Sequence, residues 1–436
     1  MTLRDYPKLD ERVYSSVLPN GLQLFVVPKP GFSKKSAYFV THFGSIDTKF
    51  TLNGTTHETP AGVAHYLEHK MFDLPGRDVM AEFSALGANP NAFTGYNLTA
   101  YYFSCTEHFQ ACLELLLTYV STPYFTQESV DKERGIICQE ILMYEDSPDS
   151  KGYEDLFQAM LRTHPGRVPI AGTVESVQDI TPEILQLCYD AFYTPSNMAL
   201  CVVGDVDPET VEQTALRLLP PEKKAPALRD YGPGEELEDG ARLVSREMDV
   251  AMPSFLLGVK CPWPGDGPAL VRERIIGDLA GEALLGESSA LYLRLYDQGL
   301  IDGSFGGGFE DLPEAAMFTC GGDSKDPEAV RAAIFAEAER IGREGISEEE
   351  FQSLKRSALG RRVRSLDSFD GLCFRLCESH FDGADYLDFQ AAYESVRRED
   401  VQAFIREKLL PQRCSTAIVW PRGGEEQTSQ AERSAT

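Results

Sequence analysis

The sequence predicts an α+β protein of two similar domains, each with an antiparallel or mixed sheet covered by helices. Three observations lead to this prediction. The chain has 436 residues, and at roughly 100–200 residues per domain this length predicts two or three domains. Residues 219–240 are dense in proline, glycine and charge, which is the composition of a linker between domains. The parts on either side both end with several helices followed by an apolar strand.

These observations give domain boundaries. We expect a first domain over residues 1–218, a linker over 219–240 and a second, similar domain over 241–424. The similarity of pattern indicates an old duplication. The last residues, 425–436, are polar and charged and are expected to form a disordered tail.

In the first part, strands are expected where β-branched and aromatic residues cluster, and helices where apolar residues recur with helical spacing. Strands are predicted at 22–28, 36–43, 92–104 and 198–203. Helices are predicted at 62–72, 77–86, 106–121, 127–145, 152–163, 182–193 and 208–219.

The second part repeats this pattern. Strands are predicted at 254–260, 304–310, 316–322 and 415–420. Helices are predicted at 270–285, 289–298, 326–343, 347–363, 370–381 and 398–408.

Composition excludes several classes of function. Lysine and arginine number 41 against 68 aspartates and glutamates, a net charge of −27, so nucleic acid and anionic membranes would repel the chain. No apolar run approaches the ~18 residues of a membrane span, and the charged N-terminus does not resemble a signal peptide. The ten cysteines are scattered and are expected to be buried, reduced thiols of a cytoplasmic protein.

The residues 65–69, His-Tyr-Leu-Glu-His, are the most informative motif. On a helix, His65 and His69 lie four residues apart on one face and can bind one Zn²⁺ from the same side. Glu68 points towards that face and can act as a base. This is the inverted H-x-x-E-H zinc pattern.

A catalytic zinc takes three protein ligands and leaves one position open. The predicted helix 127–145 offers Glu133 and Glu140, two turns apart on one face, and then Glu145. Glu140 has apolar neighbours, where a carboxylate is costly to bury unless it is paired or metal-bound, and it is therefore the expected third ligand. Glu133 is expected to accept the other N–H of a zinc histidine. Glu145 stays an alternative ligand, although a solvated helix face is the simpler interpretation.

With these motifs in view, the chain resembles the insulinase/pitrilysin peptidases, in the branch that contains the mitochondrial processing peptidase and short bacterial homologues. The resemblance runs from about residue 15 to 420. HYLEH combined with ERGIICQE carries most of it, and LPNGLQLFVVP and ANPNAFTGYNLTAYYF support it. The resemblance implies zinc-dependent peptide hydrolysis, with the substrate peptide added as a strand beside Asn91 and Ala92.

Two departures from the family pattern stand out. The spacing from His69 to Glu140 is somewhat short for the family, and Glu145 would give a more familiar spacing with a poorer local sequence. Active members also carry an arginine and a tyrosine that bind the substrate carbonyl. Tyr296 and Asp302 occupy the matching positions here, and Arg294 lies at a different helical angle.

The sequence thus predicts a zinc endopeptidase acting on peptides, as the metal-bearing subunit of a two-chain enzyme. The family encloses its substrate between two halves, each about the size of this chain. We expect a heterodimer with a homologous chain that supplies the arginine and tyrosine; a homodimer is the alternative. Two other functions stay open: a non-proteolytic subunit that binds zinc and peptide for a partner, and an enzyme of different chemistry on the same fold.

Overall fold

The computed structural model describes residues 1–238 and 242–423 and confirms the α+β class. The predicted tail, 425–436, lies outside the described residues. The helices are α1 (Val63–Lys70), α2 (Val79–Ala85), α3 (Phe109–Val120), α4 (Gln127–Glu145), α5 (Pro148–Met160), α6 (Val174–Gln178), α7 (Pro182–Phe192), α8 (Pro208–Leu218), α9 (Pro268–Leu285), α10 (Ala290–Asp297), α11 (Pro327–Glu344), α12 (Glu348–Arg364), α13 (Phe369–Phe381), α14 (Phe389–Ser395) and α15 (Arg398–Lys408).

The strands are β1 (Thr2–Tyr6), β2 (Glu11–Val17), β3 (Gln23–Pro28), β4 (Lys35–Thr41), β5 (Lys49–Leu52), β6 (Thr55–Glu58), β7 (Asp73–Leu74), β8 (Arg77–Asp78), β9 (Asn89–Thr94), β10 (Thr99–Cys105), β11 (Met198–Gly204), β12 (Leu228–Arg229), β13 (Leu243–Met248), β14 (Ser254–Cys261), β15 (Gly306–Leu312), β16 (Ala315–Asp323) and β17 (Cys414–Pro421).

The chain divides into two compact units, and both are discontinuous in sequence. Unit 1 contains residues 1–141, 169–231 and 360–388, and unit 2 contains the described residues of 142–168, 232–359 and 389–423. This division differs from the predicted domains, 1–218 and 241–424, in two segments: residues 142–168 belong to unit 2, and residues 360–388 belong to unit 1. Helix α5 packs on β14 and β17 of unit 2, and α13 packs on β4 and β11 of unit 1.

Unit 1 is built on a seven-stranded sheet in the order β1-β2-β3-β11-β4-β10-β9. All neighbours are antiparallel except β3 and β11, which run parallel. Every residue of β11 is buried. Leu200 and Val202 belong to the main core, and the carbonyl of Cys201 accepts from the thiol of Cys373 on α13. Burial on both faces explains why β11 is an uninterrupted apolar run.

Unit 2 repeats this arrangement with five strands in the order β13-β17-β14-β16-β15. The pair β13–β17 is parallel and the other pairs are antiparallel. The same order and directions occur in β3-β11-β4-β10-β9 of unit 1. The two units therefore share one topology, as the repeated sequence pattern predicts.

The predicted strand 92–104 is a hairpin rather than one strand. Strands β9 and β10 pair antiparallel with Thr94 opposite Thr99, and Gly95 N–H donates to the carbonyl of Leu98 at 2.8 Å. Strand β9 forms one edge of its sheet.

The segment 219–240, predicted as a linker, divides between the units at residues 231 and 232. Its unit 1 part is well anchored. Strand β12 pairs with β5, and Nε of Arg229 lies 3.0 Å from Oδ1 of the fully buried Asp47. The last two residues of the segment, 239 and 240, lie outside the described residues, as does residue 241.

Two further expectations concern the membrane and the cysteines. Among the described helices, none combines the length and the apolar character that crossing a membrane requires. None of the ten cysteines forms a disulfide, and nine of them are buried.

Candidate metal centre

Helix α1 carries the H-x-x-E-H motif and begins at a glycine that no other residue could easily replace. Gly62 has φ of 87°, and a Cβ there would lie 2.4 Å from the carbonyl oxygen of Ala171. The helix has only eight residues, and all of them except His69 are buried. Packing rather than intrinsic helix propensity therefore holds this turn in place.

Two side chains of helix α1 donate hydrogen bonds to backbone carbonyls at the start of α4. The hydroxyl of Tyr66 donates to the carbonyl of Val130. The fully buried Lys70 donates to the carbonyl of Ser129 at 3.3 Å and pairs with Asp73. These bonds hold the histidine face of α1 against the glutamate face of α4.

Two imidazole nitrogens and one carboxylate converge where these faces meet. Nε2 of His69 lies 3.5 Å from Oε2 of Glu140, and Nε2 of His65 lies 3.7 Å from Oε1 of Glu140. The three ligand atoms of His65, His69 and Glu140 all lie within 4.8 Å of one another. The structure thus brings together the three residues predicted as ligands.

These separations fit a tetrahedral zinc ion. Hydrogen bonds between a cationic N–H and a carboxylate are about 2.7–2.9 Å long, shorter than the two distances to Glu140. Two ligand atoms at about 2.0–2.1 Å from a tetrahedral zinc are roughly 3.3–3.4 Å apart. The arrangement therefore suits an ion held among the three side chains better than direct ion pairing.

The ring of His69 is fixed by Glu133. Its Nδ1 lies 3.0 Å from Oε1 of Glu133, as predicted for a carboxylate that accepts the second N–H. Donation from Nδ1 leaves the lone pair of Nε2 directed at the centre. This hydrogen bond also lowers the pKa of Glu133. Nδ1 of His65 is buried and has no hydrogen-bond partner among the described residues.

The two histidines have opposite pKa shifts. Burial lowers the pKa of His65 to about 4, and the neighbouring His69 adds to this effect. Burial also lowers the pKa of His69, but its hydrogen bond to Glu133 and the nearby carboxylates outweigh burial and raise the pKa overall. His65 is consequently neutral near pH 7, as a metal ligand must be.

Glu68 lies beside this group and is buried. Burial raises its pKa, and a hydrogen bond from Thr94 partly opposes that rise. Oγ1 of Thr94 lies 2.6 Å from Oε2 of Glu68. Sequence reasoning assigned no role to Thr94, because the bond joins a helix to a strand 26 residues further on.

The remaining predicted residues of unit 1 lie at separate positions. Glu145 is exposed at the end of α4 and is not part of the ligand group found among the described residues. Asn91 and Ala92 lie on the edge strand β9, where Oδ1 of Asn91 accepts from the backbone N–H of Ala92 at 2.9 Å. Their contact with a peptide stays a prediction.

The residues at the arginine and tyrosine positions belong to unit 2. The ring of Tyr296 is stacked with that of Tyr292 and is 54% exposed. Asp302 accepts hydrogen bonds from the backbone N–H and the hydroxyl of Ser304. Arg294 is exposed on α10. A phenol and a carboxylate thus lie at the two positions where the sequence resemblance predicts a guanidinium and a phenol, respectively.

The sequence matches two family descriptions. Residues 51–174 match "Insulinase (Peptidase family M16)", and residues 179–358 match "Peptidase M16 inactive domain". An uncharacterized zinc protease of Bacillus subtilis, YmfH, is 36% identical over 427 residues, which cover 96% of this chain and 99% of YmfH. An uncharacterized zinc protease of Mycobacterium leprae, ML0855, is 24% identical over 94% of this chain and 92% of the relative.

Solved structures repeat the fold over nearly the whole chain. A protein from Alicyclobacillus acidocaldarius described as an M16-like peptidase has a TM-score of 0.90 at 34% identity, covering 96% of this chain and 99% of that one. The periplasmic protease PqqL of Escherichia coli has a TM-score of 0.74 at 20% identity. That match covers 96% of this chain but 48% of PqqL.

Proposed function

Because the chain belongs to the insulinase family of peptidases, peptidase family M16, we propose that it is a zinc-dependent endopeptidase acting on peptides or unfolded segments. One observation carries the proposal. Nε2 of His65, Nε2 of His69 and the carboxylate of Glu140 converge at distances that suit zinc, and Glu68 lies on the same helix as both histidines.

Each of these residues has a distinct role in the proposal. His65, His69 and Glu140 hold the ion, and Glu133 orients His69. When bound, the zinc ion supplies a Lewis acid that polarises a peptide carbonyl and lowers the pKa of water. The carboxylate of Glu68 accepts a proton from the attacking water and returns it to the nitrogen of the leaving amine. Burial of Glu68 keeps bulk water from competing for that proton.

The substrate is proposed to bind as an extended strand along β9. An edge strand offers unpaired backbone groups to an added peptide, and β9 is an edge of its sheet. Asn91 and Ala92 lie in the part of β9 that precedes Thr94, so a peptide paired there would run past the base.

We further propose that the chain works with a second, homologous chain. Tyr296 and Asp302 stand where active relatives carry the arginine and tyrosine that bind the substrate carbonyl. The match to about half of PqqL, and to a structure of the first half of PqqL, supports the view that this chain is one half of a larger enclosure.

The test combines zinc analysis with cleavage of a quenched fluorescent peptide library. We expect one zinc per chain and chelator-sensitive cleavage by the chain with its partner. Glu68→Gln should keep the zinc and lower kcat by about 10²–10⁴-fold, since only the base is removed. Cleavage that survives both chelation and Glu68→Gln would exclude the proposal.

A second function is favoured by one observation, the missing arginine and tyrosine. A chain without them could bind zinc and peptide and present the peptide to a partner enzyme. In that case the same library would be bound but not cut, with or without the homologous chain. The intact Glu68, which peptide binding alone does not need, favours the peptidase.

A further inference from the structure

The base of the proposed reaction is held by a single hydroxyl from a different element. Glu68 lies on α1, and Thr94 is the last residue of β9. Oγ1 of Thr94 donates to Oε2 of Glu68 at 2.6 Å. A hydroxyl has one proton and an ionised carboxylate only accepts, so the direction of this bond is fixed.

The hydroxyl of Thr94 is itself held in place by the hairpin. Thr94 pairs with Thr99 across β9 and β10, and the two Oγ1 atoms are 3.4 Å apart. Thr99 is fully buried and donates to the carbonyl of Phe43 at 2.9 Å. Thr94 thus presents its hydroxyl from a hydrogen-bonded hairpin, an arrangement that supports a functional side chain in one geometry.

We infer that Thr94 is a positioning residue that orients Glu68 for proton transfer, so that Oε2 is occupied by the hydroxyl and Oε1 serves the water. This inference rests on the proposed function, because it assumes that Glu68 is the base. Without the hydroxyl, the glutamate side chain is free to adopt other rotamers, and only a fraction of molecules hold the base in the productive orientation.

The position of Thr94 also connects the base to the proposed substrate strand. Ala92 and Thr94 are two residues apart and therefore lie on the same face of β9. A peptide that pairs with β9 would immobilise this strand and, through Thr94, the carboxylate of Glu68. The base would then be most rigid when a substrate is bound, which predicts an effect on kcat rather than on KM.

Three variants of the full chain, assayed with its partner chain if the single chain is inactive, test the inference. Thr94→Val removes the hydroxyl and keeps the branched shape. We expect kcat to fall by about 10–100-fold, with KM and zinc content unchanged. This is the usual range when a residue that supports a metal site through a hydrogen bond is lost. Thr94→Ser restores the hydroxyl and should restore most of kcat.

The control is Thr41→Val, which removes another buried hydroxyl of the same sheet. The hydroxyl of Thr41 donates its one proton to the carbonyl of Phe192 at 3.0 Å rather than to Glu68. It should lower stability without changing kcat. An equal fall in kcat for Thr41→Val and Thr94→Val, or a loss of zinc in Thr94→Val, would show a merely structural role and overturn the inference.

Crystal structures of the variants separate this inference from the proposed function. We expect Glu68 in a new or mixed orientation in Thr94→Val and in its original orientation in Thr94→Ser. If the wild-type chain cleaves no peptide but Glu68 moves in this way, the proposed peptidase fails, while Thr94 is still shown to set the orientation of Glu68. An unchanged Glu68 in Thr94→Val overturns the positioning role whatever the activity.

Discussion

Two glutamates of the same helix were candidates for the third zinc ligand, and the geometry separates them. Glu140 lies 3.5 and 3.7 Å from the Nε2 atoms of His69 and His65. Glu145 is exposed at the end of α4. Both are glutamates on one helix, so the same substitution at each position gives a matched pair.

We predict that Glu140→Gln weakens zinc binding by about 100-fold or more, because it removes a charged ligand. Losing a ligand should weaken binding at least as much as losing a residue that only hydrogen-bonds to a ligand. Glu145→Gln should bind zinc as the wild type does. Competition with a fluorescent zinc chelator measures both affinities. The assignment fails if Glu145→Gln loses zinc and Glu140→Gln retains it.

Whether a residue of the site could be predicted from the sequence depended on how close in sequence its partners lie. His65, Glu68 and His69 lie within one helical turn, and Glu133 and Glu140 lie two turns apart on one helix, so spacing alone indicated which side chains share a face. Thr94 and Lys70 were missed as supporting residues. Their bonds to Glu68 and Ser129 join elements that are remote in sequence, and no periodicity in either element reveals such a bond.

At the scale of elements, most buried strands and long helices were predicted, but the edge strands β1 and β13 were missed. Strand β11 is apolar throughout, so its composition was sufficient. Strand β1 is mostly exposed, and β13 alternates between exposed and partly buried positions; both carry too few apolar residues to stand out. The packing of α5 in unit 2 and of α13 in unit 1 depends on long-range contacts that local patterns cannot encode.

Glu235, in the segment predicted as a linker, is surrounded by hydrogen-bond donors of unit 2 that stabilise its carboxylate. Glu235 accepts from the backbone N–H groups of Arg162, Thr163 and His164 at 2.7–2.8 Å, and Lys260 donates to it at 3.2 Å. Burial alone would raise the pKa of Glu235, but these donors outweigh burial and lower it to about 2.

The lowered pKa predicts how stability depends on pH. Between pH 4.5 and pH 2 the unfolded chain protonates Glu235 more readily than the folded chain does, so the stabilisation is complete above the unfolded pKa and is lost as pH falls through the folded one. We predict that Glu235→Gln is less stable near pH 7 by about 1–2 kcal/mol after allowance for solvent screening. That difference should shrink towards pH 2.

Urea unfolding at a series of pH values measures this difference. Glu236→Gln is the matched control, because Glu236 is the exposed neighbour and binds Lys260 through its backbone carbonyl, which the substitution keeps. Metal release at low pH affects all three proteins alike and cancels in the comparison. A constant difference between wild type and Glu235→Gln across the series would contradict the prediction.

At the scale of the molecule, the two units share one strand order but differ in the residues that are proposed to act in catalysis. Both units contain the same five-strand core order, but the H-x-x-E-H motif occurs in the sequence of unit 1 alone. Unit 2 keeps this strand order, and Tyr296 and Asp302 lie at the positions where the sequence resemblance predicts the arginine and tyrosine that bind the substrate carbonyl. Under the proposed function, this chain therefore supplies the zinc ligands and lacks the arginine and tyrosine.

This imbalance leads to a prediction about assembly. A homodimer would bring two zinc centres and no arginine–tyrosine pair, and losing donors aimed at a developing oxyanion costs about 10²–10³ in rate. We therefore expect the purified chain to be nearly inactive alone and to gain at least about 100-fold in kcat/KM when a homologous chain that carries the pair, and lacks H-x-x-E-H, is added. Size-exclusion chromatography with light scattering should show a one-to-one complex, and Glu68→Gln in this chain should abolish the gain. Strong peptidase activity from the single chain, lost on chelation and in Glu68→Gln, would instead show that other residues, Arg294 among them, have taken over the carbonyl-binding role.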